Sequence, residues 1–126
     1  MATATIQFSA SGINSGGETK QLSSSGQIQC TQLTSGTQTL DTTYAPLATA
    51  AGNCTAVVVY NKGTKDVSIR MDLGAFATGK RYHVLNCIAG GIVIVPGVIA
   101  DGNFQWQALA ARTESGSGDV DYCVIR

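Results

Sequence analysis

The chain predicts an all-β fold: a β-sandwich, jelly-roll or immunoglobulin-like, of about eight to ten strands. Three observations carry that expectation. Helical apolar periodicity is absent throughout the 126 residues. Runs of β-branched and aromatic residues alternate with polar ones at period two, and turn punctuation recurs every roughly 8 to 12 residues. A chain of this length buries a core in one domain without needing disulfides or metals. One domain overall is therefore expected, with a polar Ser/Thr/Gln-rich segment over 1–53 (an arm plus first strands) ahead of a sandwich core over 54–126.

The segment before about Leu47 is weakly patterned. Ile6 and Phe8 alternate with Thr5, Gln7 and Ser9, and Ile28 and Cys30 stand among Gln27 and Gln29. Ser11-Gly12, Asn14-Ser15-Gly16-Gly17, Ser23-Ser24-Ser25-Gly26 and Ser35-Gly36 read as turns between short strands. A disordered arm competes with that expectation, because the first 26 residues hold few large apolar groups to offset ordering entropy. Thr37 to Tyr44 reads as a Thr-rich strand, and Ala45 to Asn53 as a connector around Pro46.

The strongest local pattern lies between Cys54 and Leu73. An apolar run ends in Tyr60, Asn61 to Asp66 is turn-forming, and Val67, Ile69, Met71 and Leu73 alternate with Ser68, Arg70 and Asp72. This predicts a β-hairpin with one buried face. Phe76 to Lys80 reads as a loop. Arg81 to Ile88 follows with apolar groups on both faces, Tyr82, Val84 and Ile88 on one and Leu85 and Cys87 on the other, which suits a central strand. Ile92 to Val95 reads as a short buried strand, and Pro96 as an edge or turn. Phe104, Trp106 and Ala108 make a strand with one apolar face, Ala110 to Gly118 a flexible loop, and Asp119 to Arg126 a last strand inside the sheet.

Charge bounds the partners. Lys plus Arg and Asp plus Glu each total 8, and charged residues are 13% of the chain, against roughly 25% in ordinary soluble domains. No net field steers the protein to nucleic acid or an anionic membrane, and neither is expected as a partner. Of the 16 charges, Glu18, Lys20 and Asp41 alone fall within the first 60 residues. So uncharged a polar surface offers little electrostatic repulsion against self-association. The start lacks a basic region followed by an apolar run, so no signal peptide is expected and synthesis in a cytoplasm is.

Chemistry is sparse. His83 is the sole histidine and sits between Tyr82 and Val84 in a strand pattern, the expected place of a strand histidine rather than a catalytic base. Asp66, Asp72 and Asp101 lie in or beside turns, and nothing sets any two apart as a glycosidase pair. Asp119 and Asp121 lack the spacing and distal Glu of a calcium loop. Cys30, Cys54, Cys87 and Cys123 contain no Cys-x-x-Cys. Four buried thiols are the default, with a disulfide the alternative. No enzyme, metal or cofactor is expected. Tyr44, Tyr60 and Tyr82 leave an aromatic carbohydrate patch open.

From Ala56 onward, the strand ending Tyr60-Asn61-Lys62-Gly63-Thr64, the alternating Val67 to Leu73, the turn Val95 to Gly102 and the close Ser115 to Ile125 together resemble small β-sandwich virion proteins of tailed bacteriophages. The likeness covers a little over half the chain. It implies a structural virion protein, most simply a capsid decoration or cement protein, made in the host cytoplasm. Its partners would be copies of itself, possibly in a trimer, and capsid or tail proteins. A carbohydrate-binding, lectin-like module or a tail-associated adhesion module is the alternative. An N-terminal arm bearing Ile6 and Phe8 is the expected partner-binding element, adding a strand to a neighbour's sheet edge.

Overall fold

The structure is a computed structural model that describes residues 2–13, 15–47, 56–76, 79–96 and 108–126. Those residues form ten strands and no helix, as the sequence leads one to expect. They divide into two compact units, Met1–Gln32 and Leu33–Arg126. The expected division after residue 53 thus moves to Gln32. Between the two positions, Leu33–Leu40 and Ala45–Pro46 are strands that pair within the larger unit.

The smaller unit is one antiparallel pair, β1 (Ala2–Ile13) and β2 (Thr19–Cys30), in unbroken register from Ala2 opposite Cys30 to Ile13 opposite Thr19. Ser11-Gly12 and the Ser23 to Gly26 run therefore lie inside strands instead of breaking them. Of the turns expected in this unit, the described part of Asn14 to Gly17, Ser15 to Gly17, reverses the chain, with Gly17 at φ 79°, a conformation glycine adopts without steric cost. Glycine and serine weaken a strand without forbidding it, and a continuous ladder outweighs the local preference.

The larger unit is a two-layer sandwich. Its strands are β3 (Leu33–Leu40), β4 (Ala45–Pro46), β5 (Ala56–Asn61), β6 (Val67–Phe76), β7 (Gly79–Cys87), β8 (Ile92–Pro96), β9 (Ala108–Thr113) and β10 (Gly118–Ile125). One sheet has the order β3-β10-β5-β8 and the other β4-β9-β6-β7, with every neighbour antiparallel. Eight strands divided between two four-stranded sheets in this order make a jelly roll, one of the two sandwich types anticipated. Val57, Val59, Val95, Val120 and Val124 from the first sheet meet Val67, Ile69, Met71, Leu109 and Ala111 from the second in a single core, closed by Leu40 and Leu47.

The predicted Cys54–Leu73 hairpin is not a hairpin. Its two strands are apolar and consecutive, but β5 pairs with β10 and β8, whereas β6 pairs with β7 and β9. The intervening turn carries the chain from one sheet to the other. Asn61, buried at its start, holds the crossing: its side-chain amide donates to the carbonyls of Lys65 (2.8 Å) and Cys87 (3.0 Å), and its oxygen accepts from the Gly63 amide (3.1 Å). A short polar side chain here supplies backbone partners that a hairpin ladder would otherwise provide. The true hairpin is β6–β7, continuous to Phe76 opposite Gly79 with an irregularity between Asp72 and Ala75. Most of the expected Phe76 to Lys80 loop is accordingly strand.

Four further expectations change. β7 is an edge strand, not a central one, so Tyr82 and Val84 are exposed rather than covered by a second layer. β8 is likewise an edge, with Val95 buried and Ile92 and Ile94 exposed. Ala110 to Thr113, read as loop, belongs to β9. Its burial alternates along the strand because Leu109, Ala111 and Thr113 face the core, an inward set too small to advertise a strand in sequence. Ala45 and Pro46, read as connector, pair with Ala111 and Ala110 at the sheet edge, where a proline is tolerated. The expected strand around Phe104 and Trp106 and the turn over 97–102 lie outside the described residues, as does Cys54.

Candidate functional site

The outer face of the β4-β9-β6-β7 sheet carries an arrangement the sequence pattern did not single out. Arg70 occupies the middle of β6, opposite Val84 on one side and Ala110 on the other. Tyr82 stands one step along β7, opposite Asp72, a diagonal distance an aromatic ring spans. Tyr44 comes just before β4 at the sheet edge, and the small Ala110 leaves room for its ring to reach across β9. The Arg70 guanidinium carbon thus lies 4.4 Å from the Tyr82 ring centre and 4.4 Å from that of Tyr44, while Arg112 lies 4.7 Å from Tyr44. Tyr82, Arg70, Tyr44 and Arg112 form one ladder of stacked planes.

Stacking of a guanidinium on a tyrosine face contributes about 0.5–2 kcal/mol, more as water is excluded. It also fixes the long arginine side chains that would otherwise sample many rotamers. Neither arginine has a carboxylate or hydrogen-bond acceptor among the described residues. Both Nε groups are buried without a partner, whereas the terminal nitrogens are not so buried. Close by, Ser68 donates to Glu114 (2.6 Å), which occupies that carboxylate.

The residues singled out from sequence fall elsewhere. Ile6 and Phe8 lie in β1 opposite Gly26 and Ser24, within a paired hairpin and not on an unpaired arm. Ile6 is half-buried. Of the tyrosines, Tyr44 and Tyr82 share the ladder, while Tyr60 belongs to β5 in the other sheet. His83 is exposed in β7 opposite Met71. Asp66 braces the fold by accepting the Ala89 amide (3.0 Å), and Asp101 is outside the described residues.

Asp119 and Asp121 serve the β3–β10 ladder. They accept hydroxyl hydrogen bonds from Thr39 (2.6 Å) and Thr37 (2.5 Å), and Lys62 pairs with Asp121 at 3.0 Å. The Thr37 hydrogen bond, followed by the Lys62 contact, holds the Asp121 carboxyl below its usual pKa. Cys30 and Cys87 are buried free thiols, and Cys123 is half-buried in β10. Burial pushes the Cys87 thiol up, against the backbone contact at Asn61 that lowers it, and its sulfur donates to the Gly91 carbonyl (3.3 Å). Such a thiol packs and does not react. No group of three metal-ligating side chains occurs among the described residues.

Comparison with known protein families, curated proteins and solved structures finds no match to this chain.

Proposed function

We propose that the protein is a structural virion protein of a bacteriophage, a capsid decoration protein that associates with copies of itself and with capsid subunits. The observation that carries this reading is the β1–β2 hairpin. Its register puts Ala4, Ile6, Phe8 and Ala10 at one parity, opposite Ile28, Gly26, Ser24 and Leu22. The alternate parity is Thr3, Thr5, Gln7, Ser9 and Ser11 opposite Gln29, Gln27, Ser25, Ser23 and Gln21. As far as Ser11 one set is apolar or small and the other uncharged polar, and the last two pairs add Lys20 to the first parity and Ile13 to the second. Among those whose side chains are described, Ala4 and Cys30 are the buried ones, and Leu22 is 60% exposed.

An isolated two-stranded ribbon is marginal in water, since it has no second layer to bury its apolar face against. Packing of that face between copies, as in a trimer, would supply such a layer. The near absence of charge from this third of the chain removes the usual obstacle to such packing. The jelly roll agrees without deciding the matter, because that architecture serves both viral capsid and lectin domains.

The carbohydrate-binding, lectin-like or tail-adhesion alternative draws on the same fold. It needs open aromatic faces for sugars to stack on, and the Tyr44 and Tyr82 rings already bear guanidiniums. Co-sedimentation with shells assembled from bacteriophage capsid proteins separates the two. Saturable pelleting with shells, and no signal on a glycan array, is expected. Glycan binding without shell binding would replace the decoration reading with the lectin one.

A further inference from the structure

The Arg70 and Arg112 pair is incomplete as it stands. Two planar cations are held rigid by tyrosine stacking, their Nε donors are already orphaned, and no acceptor among the described residues meets the terminal donors. Arginine presents a fork that matches a carboxylate bidentately, and holding the fork in place before binding removes much of the entropic penalty. Next to Arg70 on the same face, Val84 is 53% exposed, and Ile88 just beyond β7 is 65% exposed. Rigid tyrosines, arginines and a few exposed aliphatics are the composition of the energetic centre of a protein interface. Small solutes are held in concave clefts, so a sheet face suits another protein better.

We propose that this face docks an acidic segment of a partner protein, whose carboxylates pair with Arg70 and Arg112 while its apolar side chains cover Val84 and Ile88. This deepens the virion reading, on which it rests, by naming the surface that meets the capsid subunit and the charge that subunit brings. Two of the four lysines, Lys20 and Lys62, are already engaged by Glu18 and Asp121.

Fluorescence anisotropy of a labelled hexaglutamate peptide, titrated with the full chain at low salt, tests the site without any capsid component. Saturable binding is expected, weakened at least tenfold by Arg70→Gln or Arg112→Gln. Arg70→Lys should fail to restore it, because an ammonium neither stacks as a plane nor binds bidentately. Val84→Glu, at an exposed position, should weaken it comparably by placing a negative charge opposite Arg70, with circular dichroism confirming that each variant folds. Lys65→Gln, on the exposed β5–β6 crossing, should change nothing. Equal loss in Lys65→Gln and Arg70→Gln would mark the binding as diffuse charge attraction and overturn the proposal. Absence of saturation would do the same, as would preference for oligogalacturonate over hexaglutamate, which would make the site one for acidic sugars. Failure of shell binding with the peptide site intact would instead remove the virion reading.

Discussion

The hairpin and the sandwich are both antiparallel β-structure in good register, yet they are ordered by different means. In the sandwich, thirteen buried residues from two facing sheets form a common core, and burial at about 25 cal/mol per Å2 supplies the stability. In the hairpin, the backbone ladder is complete over twelve residue pairs while most described side chains remain exposed. Backbone hydrogen bonds traded against water contribute about 1 kcal/mol each at best, close to the entropy cost of fixing each residue. The sandwich carries its own stability, and the hairpin depends on what covers it. On that difference rests the proposal that the hairpin is the element that meets other copies of the chain.

The comparison breaks most easily at the sandwich core. Ile69→Ala removes a fully buried side chain between the sheets and is expected to cost about 2–5 kcal/mol, whereas Leu22→Ala in the hairpin should stay within about 0.5 kcal/mol for the isolated chain. Urea unfolding of both variants measures the gap. Equal losses would mean that the hairpin buries its apolar face within the single chain.

Asn61→Ala comes next. It leaves the Lys65 and Cys87 carbonyls and the Gly63 amide without their side-chain partner, at an expected cost of about 1–3 kcal/mol. Protection of the Gly63 amide in hydrogen exchange should fall with it. A smaller effect is expected at Gly36→Ala, where the added carbon would sit 2.7 Å from the Tyr122 hydroxyl oxygen. The ring end must move, for about 1 kcal/mol, the low end of overpacking costs.

The smallest effect is electrostatic. The Asp121 carboxyl titrates below its ordinary value in the fold because Thr37 and Lys62 stabilise the charged form. Its contribution is therefore present above the unfolded pKa and is lost as pH falls through the lowered folded value. Asp121→Asn should lower stability near neutrality and converge with the parent chain below about pH 4, near the ordinary carboxylate range, so that the acid limb flattens. A loss at acid pH as large as the neutral one would assign Asp121 a packing role.

Much of the fold was legible in sequence because burial alternates with strand period: Val67, Ile69 and Met71 are core, as their spacing says. Pairing was not legible. β5 and β6 are adjacent and apolar, the ordinary mark of a hairpin, and the information that separates them into two sheets resides in one buried amide at Asn61. The edge positions of β7 and β8 were hidden for a related reason, since an exposed Val84 or Ile94 looks the same in sequence as a covered one. The arginine ladder was invisible because its members come from four separate stretches, brought together only by the order β4-β9-β6-β7. Arg70 by itself is the polar half of an alternation. The opposite parities of the hairpin were visible around Ile6 and Phe8, but the serine and glycine runs read as turns and obscured their extent.

The central claim is that the hairpin is an assembly element and the sandwich a self-sufficient domain. Sedimentation velocity of the full chain beside a chain beginning at Leu33 tests it most directly, with a thermal melt of each. The account predicts a discrete oligomer for the full chain, a monomer for the shortened one, and melting temperatures of the sandwich within a few degrees of each other. Two monomers, or two identical oligomers, would contradict it.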